Sequence, residues 1–259
     1  NLTTDMRIIG NNATVTTDGS SIRIFNISGM NVSLENMTIR DGASNFGGAI
    51  RITSGASTTN VNAVNFIANT ASNSGGAVYV ELGQFIATNS TFDGNIATSN
   101  GGAISALNDA SIILTGTTLI RNQASVGGAI YNNASTVDIL ESSLIENRAS
   151  IGASTIALTS SGVMAIDTTV IANNLAIGSS TITTDSAGLS ITASCIVNNT
   201  TAVNTVDVFN TSVDLLDVEN NWWGSPLGPS TDASIIDRET VSDNVDFIPY
   251  LVTAPDICN

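Results

Sequence analysis

Residues 117–130 read T-T-L-I-R-N-Q-A-S-V-G-G-A-I, and this phrase decides the fold. Leu119 is followed three residues later by Asn122, and Gly127-Gly128-Ala129 leads into Ile130. The phrase returns upstream as Phe66…Asn69…Gly75-Gly76-Ala77-Val78 and Phe92…Asn95…Gly101-Gly102-Ala103-Ile104. Weaker copies follow as Leu144…Asn147…Gly152-Ala153 and Val170…Asn173…Gly178-Ser179. The asparagines fall at 69, 95, 122, 147, 173 and 198, a period of about 25–26 residues. Self-similarity at such a period marks a solenoid, propeller or array; a propeller blade takes about 40–45 residues, so the shorter period fits one coil of a three-sided parallel β-helix.

The local pattern agrees. Apolar residues recur every second position, Val, Ile and Thr are frequent, and Gly, Asn and Ser interrupt the chain every few residues, which favours short strands over helix. Stacking the coils explains each part of the phrase. Phe66, Phe92, Leu119, Leu144, Val170 and Cys195 form one inward core column. Asn69, Asn95, Asn122, Asn147, Asn173 and Asn198 form a ladder, each amide bonding to the next at a corner where asparagine tolerates a left-handed backbone. The glycine pair permits a turn and a close approach between coils. The expected fold is all-β, a single right-handed three-sided parallel β-helix of about nine to ten coils, roughly 45 Å long at the inter-strand spacing.

Residues 1–221 are assigned to this helix, with regular coils over about 46–205, and 222–259 to a C-terminal cap and tail. Trp222 and Trp223 lie in N-N-W-W-G-S-P-L-G-P at 220–229, where the repeat ends. An open solenoid end exposes core and strand edges, so an atypical terminal unit is expected to cover it. The start at residue 1 reads as the middle of a fold, the expectation being a chain trimmed from a longer one. Cys195 reads as a buried thiol, with pairing to Cys258 or to another chain left open.

Composition narrows the function. The chain has 7 basic residues, all arginine, against 22 acidic ones, a net charge of −15 that repels phosphate backbones and argues against nucleic-acid partners. No apolar run is long enough for a transmembrane helix. Only 11% of residues are charged, so Ser, Thr and Asn must cover most of the surface.

For chemistry the sequence offers little. Zinc is unsupported by a chain with no histidine and two distant cysteines. The reading assigns no catalytic residue and no cofactor; calcium is the alternative, through Asp207, Asp214, Asp217 and Glu219. Glu141 and Asp167, each three residues before an apolar column member, are expected in one outward column about 5 Å apart, the nearest approach to a glycosidase carboxylate pair. Arg121 is expected to ion-pair with Glu146. The row Asn65, Thr91, Thr118, Ser143, Thr169, Ser194 is expected to face outward as a line of hydroxyls.

The FxxN and GGA[I/V/L] phrases of Phe66–Asn69, Phe92–Asn95, Gly75–Val78, Gly101–Ile104 and Gly127–Ile130 resemble the repeats of chlamydial polymorphic outer-membrane proteins. They also resemble secreted bacterial and archaeal right-handed β-helix proteins, as does the closing N-N-W-W-G…G-P with V-D-F-I-P-Y-L at 245–251. The resemblance implies an extracellular or cell-surface location. With the residue reading it leads to a non-enzymatic adhesion or structural module that partners other copies of itself or surface proteins and glycans, self-assembly into a filament or layer included. The alternative is a polysaccharide-active enzyme or a carbohydrate-binding β-helix of pectate-lyase-like fold.

Overall fold

In a computed structural model, residues 4–150, 154–177, 179–186, 188–201, 206–232 and 239–258 are described. Among them every paired strand runs parallel to its neighbours, and the helical structure is confined to one 3-10 turn at Asp256–Cys258. The strands form three sheets, of fifteen, eight and six strands. The chain is a parallel β-solenoid of about nine turns. Along the long sheet Met6, Val32, Thr59, Phe85, Ile112, Val137, Met164, Leu189, Leu216 and Val245 stand rung upon rung. All but Met6 and Thr59 of that row are apolar residues buried in one continuous core.

One coil shows how sequence sets the turn. Ile104–Leu107 lies in the eight-stranded sheet, Ser111–Thr115 and Thr118–Ile120 on two faces of the fifteen-stranded sheet, and Gln123–Ala124 in the six-stranded one. In the first coils the two faces are one long strand, Thr58–Ile67, bent at Ala63, where φ is +52°. That bend recurs in the left-handed region at Asn89, Gly116, Glu141, Thr168 and Ala193. The next residue is then a buried hydroxyl: Ser90, Thr117, Ser142, Thr169 or Ser194. Each of these donates to the carbonyl two residues back, and Ser142, Thr169 and Ser194 accept the N–H of the coil before at 3.0–3.3 Å. This hydroxyl ladder satisfies backbone groups that the bend removes from the sheet.

The core column runs Phe66, Phe92, Leu119, Leu144, Ile171, Ile196. Phe66 and Phe92 stack at 4.6 Å between centroids, with Phe85 edge-on to both. Here the structure corrects the sequence reading. Val170 and Cys195 pair with Ser143 and with each other, one residue off the apolar column. The asparagine ladder shifts with them and runs Asn69, Asn95, Asn122, Asn147, Asn174, Asn199. Asn173 and Asn198 sit one position earlier, exposed, with φ of +56° and +55°. The sequences V-I-A-N-N and C-I-V-N-N double both the apolar residue and the asparagine, so both registers satisfy the same spacing. A one-residue slip reverses which side chains face the core, and burial decides it for Ile171 and Ile196, both fully buried.

The solenoid pairing also continues past residue 221. Trp222 bridges to Cys195, Trp223 takes the next place in the core column at 1% exposure, and Val245–Asp246 forms a further rung on Leu216–Asp217. Cys195 is disulfide-bonded to Cys258, with Cα atoms 5.8 Å apart, so its thiol is not free. The bridge closes 63 residues of chain and ties the tail to the last full coil; by loop-closure entropy a closure of that length stabilises by about 4 kcal/mol.

Candidate functional surfaces and the two ends

The ladder begins with a backbone amide and ends with a carboxyl. Within it, each Asn Nδ2 donates to the Oδ1 of the next coil's asparagine and to a carbonyl of the coil before; Asn122 does so to Asn147 at 3.0 Å and to the Phe92 carbonyl at 2.9 Å. Each Oδ1 also accepts the backbone N–H of the asparagine before it. Every coil therefore donates to the next, and the last one lacks an acceptor. Glu239 supplies it, accepting the Asn199 N–H at 3.3 Å. At the opposite end it is carbonyls that lack donors. The Arg23 guanidinium donates to the Phe46 and Gly47 carbonyls at 2.8 and 3.0 Å, the places that backbone N–H groups fill in the following coils.

Glu239 is buried against a second carboxyl, Asp207, to which it is hydrogen-bonded. Asp207 also accepts from Thr181 Oγ1 at 3.1 Å and from the Thr240 N–H at 3.0 Å. Burial, then the neighbouring Asp207 charge, push Glu239 up to about 10. Burial raises Asp207 as well, opposed by its hydrogen bonds from Glu239 and Thr240. The pair therefore shares a proton at neutral pH. Because the folded pair holds that proton where the unfolded chain does not, its contribution to stability is complete below the ordinary glutamate value of 4.5 and is lost as pH rises towards about 10. Asp5, Asp18 and Glu35 are held below their usual values by hydrogen bonds from Asn31, Ser20 and Arg7, so they act with the opposite sign, and only in acid. With no histidine in the chain, the melting temperature is expected to fall from pH 5 to pH 9. The slope is at most about 1.4 kcal/mol per pH unit, and Glu239→Gln should flatten it. An unchanged slope in that variant would assign the titration elsewhere.

No spacing or motif marks this pair in the sequence. The sequence groups Asp207 with Asp214, Asp217 and Glu219, yet Asp207 is buried on Glu239, while Asp217 turns its carboxylate onto the Glu219 N–H at 3.1 Å. Among the described residues no three acidic, Cys or His side chains converge as a metal site. Glu141 and Asp167 do not share a column: Leu140 pairs with Asp167, and Glu141 occupies the left-handed bend that Thr168 occupies one coil on. The outward hydroxyl row holds through Asn65, Thr91, Thr118 and Ser143, then continues as Val170 and Cys195, because Thr169 and Ser194 belong to the buried ladder. Arg121 is bound mainly to Asp93 through two contacts at 2.6 and 3.1 Å, with Glu146 further away at 3.8 Å. Trp223 is inside the core and has no face to offer a sugar, whereas Trp222 is half-buried.

Outside the core lies a smaller cluster between Phe46 of the six-stranded sheet and Arg51, Tyr79 and Glu81 of the eight-stranded one. Phe46 packs on Tyr79 at 4.9 Å, with Arg51 5.8 Å from both ring centroids and 3.6 Å from Glu81. None of the described helical structure is long and apolar enough to cross a membrane.

Two stretches, residues 63–81 and 89–107, match the model of the Chlamydia polymorphic membrane protein repeat. No curated protein and no solved structure matches the chain. Each matched stretch carries a core phenylalanine, a ladder asparagine and a glycine pair, the three parts that the stacked coils use. By these repeats and its parallel β-solenoid, the chain is similar to the chlamydial polymorphic membrane repeat proteins.

Proposed function

We infer that this chain is a non-enzymatic, surface-exposed solenoid rod that serves as an adhesion or structural module. The observation that carries the reading is the pair of ladders, asparagine and hydroxyl, which fix successive coils rung on rung. Their effect is to present outward side chains at a constant spacing on a stiff body, which is what multivalent surface contact requires. The repeat family points to a surface-exposed protein of outer-membrane type. A disulfide, Cys195–Cys258, suits an oxidising extracellular setting.

The competing reading is turnover of polysaccharide on the outward faces. Incubation with neutral and acidic polysaccharides is expected to release neither reducing ends nor unsaturated uronides, while the labelled protein binds cell surfaces saturably. Turnover of any of these polysaccharides by the purified chain would overturn the non-enzymatic reading.

A further inference from the structure

We propose that Asn36, Asn89 and Asn198 are acceptors for an asparagine-linked oligosaccharide. The proposal rests on the surface-exposed reading above and assigns that surface a covalent modification.

Each of the three begins an Asn-x-Ser/Thr triplet: Asn36-Met37-Thr38, Asn89-Ser90-Thr91 and Asn198-Asn199-Thr200. In a surface protein that triplet is the acceptor signal. A chain rich in Asn, Ser and Thr also makes such triplets by chance, so the signal alone selects nothing. The structure sorts them. Asn26 accepts from the Arg23 guanidinium, and Asn31 donates to Asp5 while accepting the Thr58 N–H. Asn133 donates to Thr159 and Ser160, Asn199 is the last rung of the ladder, and Asn210 is buried with its amide on two carbonyls. A glycan on any of these would displace bonds that hold the fold. Asn36, Asn89 and Asn198 are instead exposed, and all three are left-handed, with φ of +51°, +48° and +55°. No hydrogen bond among the described residues uses their side-chain amides.

The coil itself builds the acceptor. Asn36 and Asn89 occupy the bend between the two faces of the long sheet, one coil before and one coil after Ala63. The residue that follows, Met37 or Ser90, is buried. The third, Thr38 or Thr91, opens the next strand in the outward hydroxyl row with Asn65 between them. Amide and hydroxyl therefore both face solvent while the middle residue points inward. The bend does not demand asparagine, since Glu141, Thr168 and Ala193 fill it in later coils. Room is available as well. The two acceptors are separated by two rungs, about 10 Å, and Asn89 extends over Gly116, where a Cβ would come within 2.8 Å of its Oδ1. Asn12 is also left-handed, but it lies one rung, about 5 Å, from Asn36, so that pair has room for one glycan, and Asn36 has a coil on either side. Asn198 stands on the second corner, and transfer there leaves its ladder neighbour Asn199 untouched.

The donor is a polyprenol-linked oligosaccharide phosphate, used by a membrane transferase. Asn Nδ2 bonds to C1 of the first sugar, the C1–O bond to phosphate breaks, and the lipid phosphate leaves as the amide gives up one proton. Glycans at Asn36 and Asn89 would close that edge of the rod to protein partners and leave contact to the eight-stranded side.

The test is mass spectrometry of peptides from the protein recovered from the cells that make it. Peptides spanning Asn36, Asn89 and Asn198 are expected to carry a sugar adduct, and those spanning Asn31, Asn133 and Asn210 none. Asn89→Gln and Thr91→Ala should each remove one glycan, and Thr91→Ser should keep it, because only the hydroxyl of the triplet is needed. Unmodified peptides at all three positions would overturn the proposal, as would glycans on Asn31, Asn133 or Asn210 in their place. Labelling intact cells with a membrane-impermeant reagent separates the two readings. Labelled but unmodified protein contradicts the acceptor assignment alone, whereas unlabelled, unmodified protein contradicts the surface reading with it.

Discussion

Replacing Asn122 by alanine is expected to destabilise the chain by about 4 kcal/mol or more. Asn122 is fully buried, and its side chain serves four groups. Its Nδ2 donates to the Phe92 carbonyl and to Asn147 Oδ1 at 2.9 and 3.0 Å. Its Oδ1 accepts the Asn95 N–H and Asn95 Nδ2 at 3.0 and 2.9 Å. Alanine takes one bond from each of these four buried groups. Asn95 Nδ2 keeps the Phe66 carbonyl and Asn147 Oδ1 keeps the N–H of residue 122, yet a buried unsatisfied group costs about 1–3 kcal/mol and the lost side chain leaves a cavity as well. Partial relaxation removes some of that sum, which is why the lower end of the range is the expectation. The same logic separates the two asparagine registers. Asn174→Ala should resemble Asn122→Ala, because Asn174 bonds to Asn199 Oδ1 and to the Leu144 carbonyl. Asn173→Ala should cost only about 1 kcal/mol, the strain of a left-handed alanine, since that side chain is exposed. Urea unfolding followed by circular dichroism measures all three. Equal losses at 173 and 174 would contradict the ladder as described.

How far the sequence carries depends on which neighbours decide a residue's place. The coil, the glycine pair and the first four ladder positions follow from spacing, because between Phe66 and Leu144 only one apolar residue and one asparagine fit the phrase. From Val170 onward the phrase is degenerate, and register is set by which of Val170 and Ile171 packs under Leu144, a tertiary fact. The Glu141–Asp167 juxtaposition failed for the same reason: the coil from Leu144 to Ile171 takes 27 residues, and counting an average period lands one place short. The hydroxyl ladder was hidden by composition, since Ser and Thr are common both as outward strand residues and as corner acceptors. A left-handed residue before each hydroxyl distinguishes them, and Asn89, Gly116, Glu141, Thr168 and Ala193 share no residue type that would reveal it. Asp207 and Glu239 lie 32 positions apart outside the repeat, so no periodicity joins them.

Gly102→Ala should be the other large loss, about 3 kcal/mol, although it changes the chain by a single methyl group. At ordinary backbone angles such a substitution stabilises by about 0.4–1 kcal/mol through the unfolded chain, and Gly102 is not among the left-handed glycines. Space decides against it. A Cβ at Gly102 would lie 2.1 Å from the Gly128 carbonyl oxygen and 2.6 Å from the Gln123 nitrogen, both backbone atoms of the next coil. Neither can retreat alone: Gln123 adjoins Asn122, which is held from both sides by the ladder, and the Gly127 carbonyl receives the Gly102 N–H at 3.0 Å. Opening the gap means lifting one coil off another, so the cost is that of overpacking a rigid core, about 1–3 kcal/mol and occasionally more. Gly94→Ala is the control. Gly94 is left-handed, with φ of +62°, and a Cβ there meets nothing within 4 Å, so only backbone strain of about 1–2 kcal/mol applies. If the coils are held rung on rung as the ladders imply, urea midpoints will fall further for Gly102→Ala than for Gly94→Ala. The reverse order would mean that neighbouring coils slide apart freely, and the rigid rod on which the proposed function depends would be lost with them.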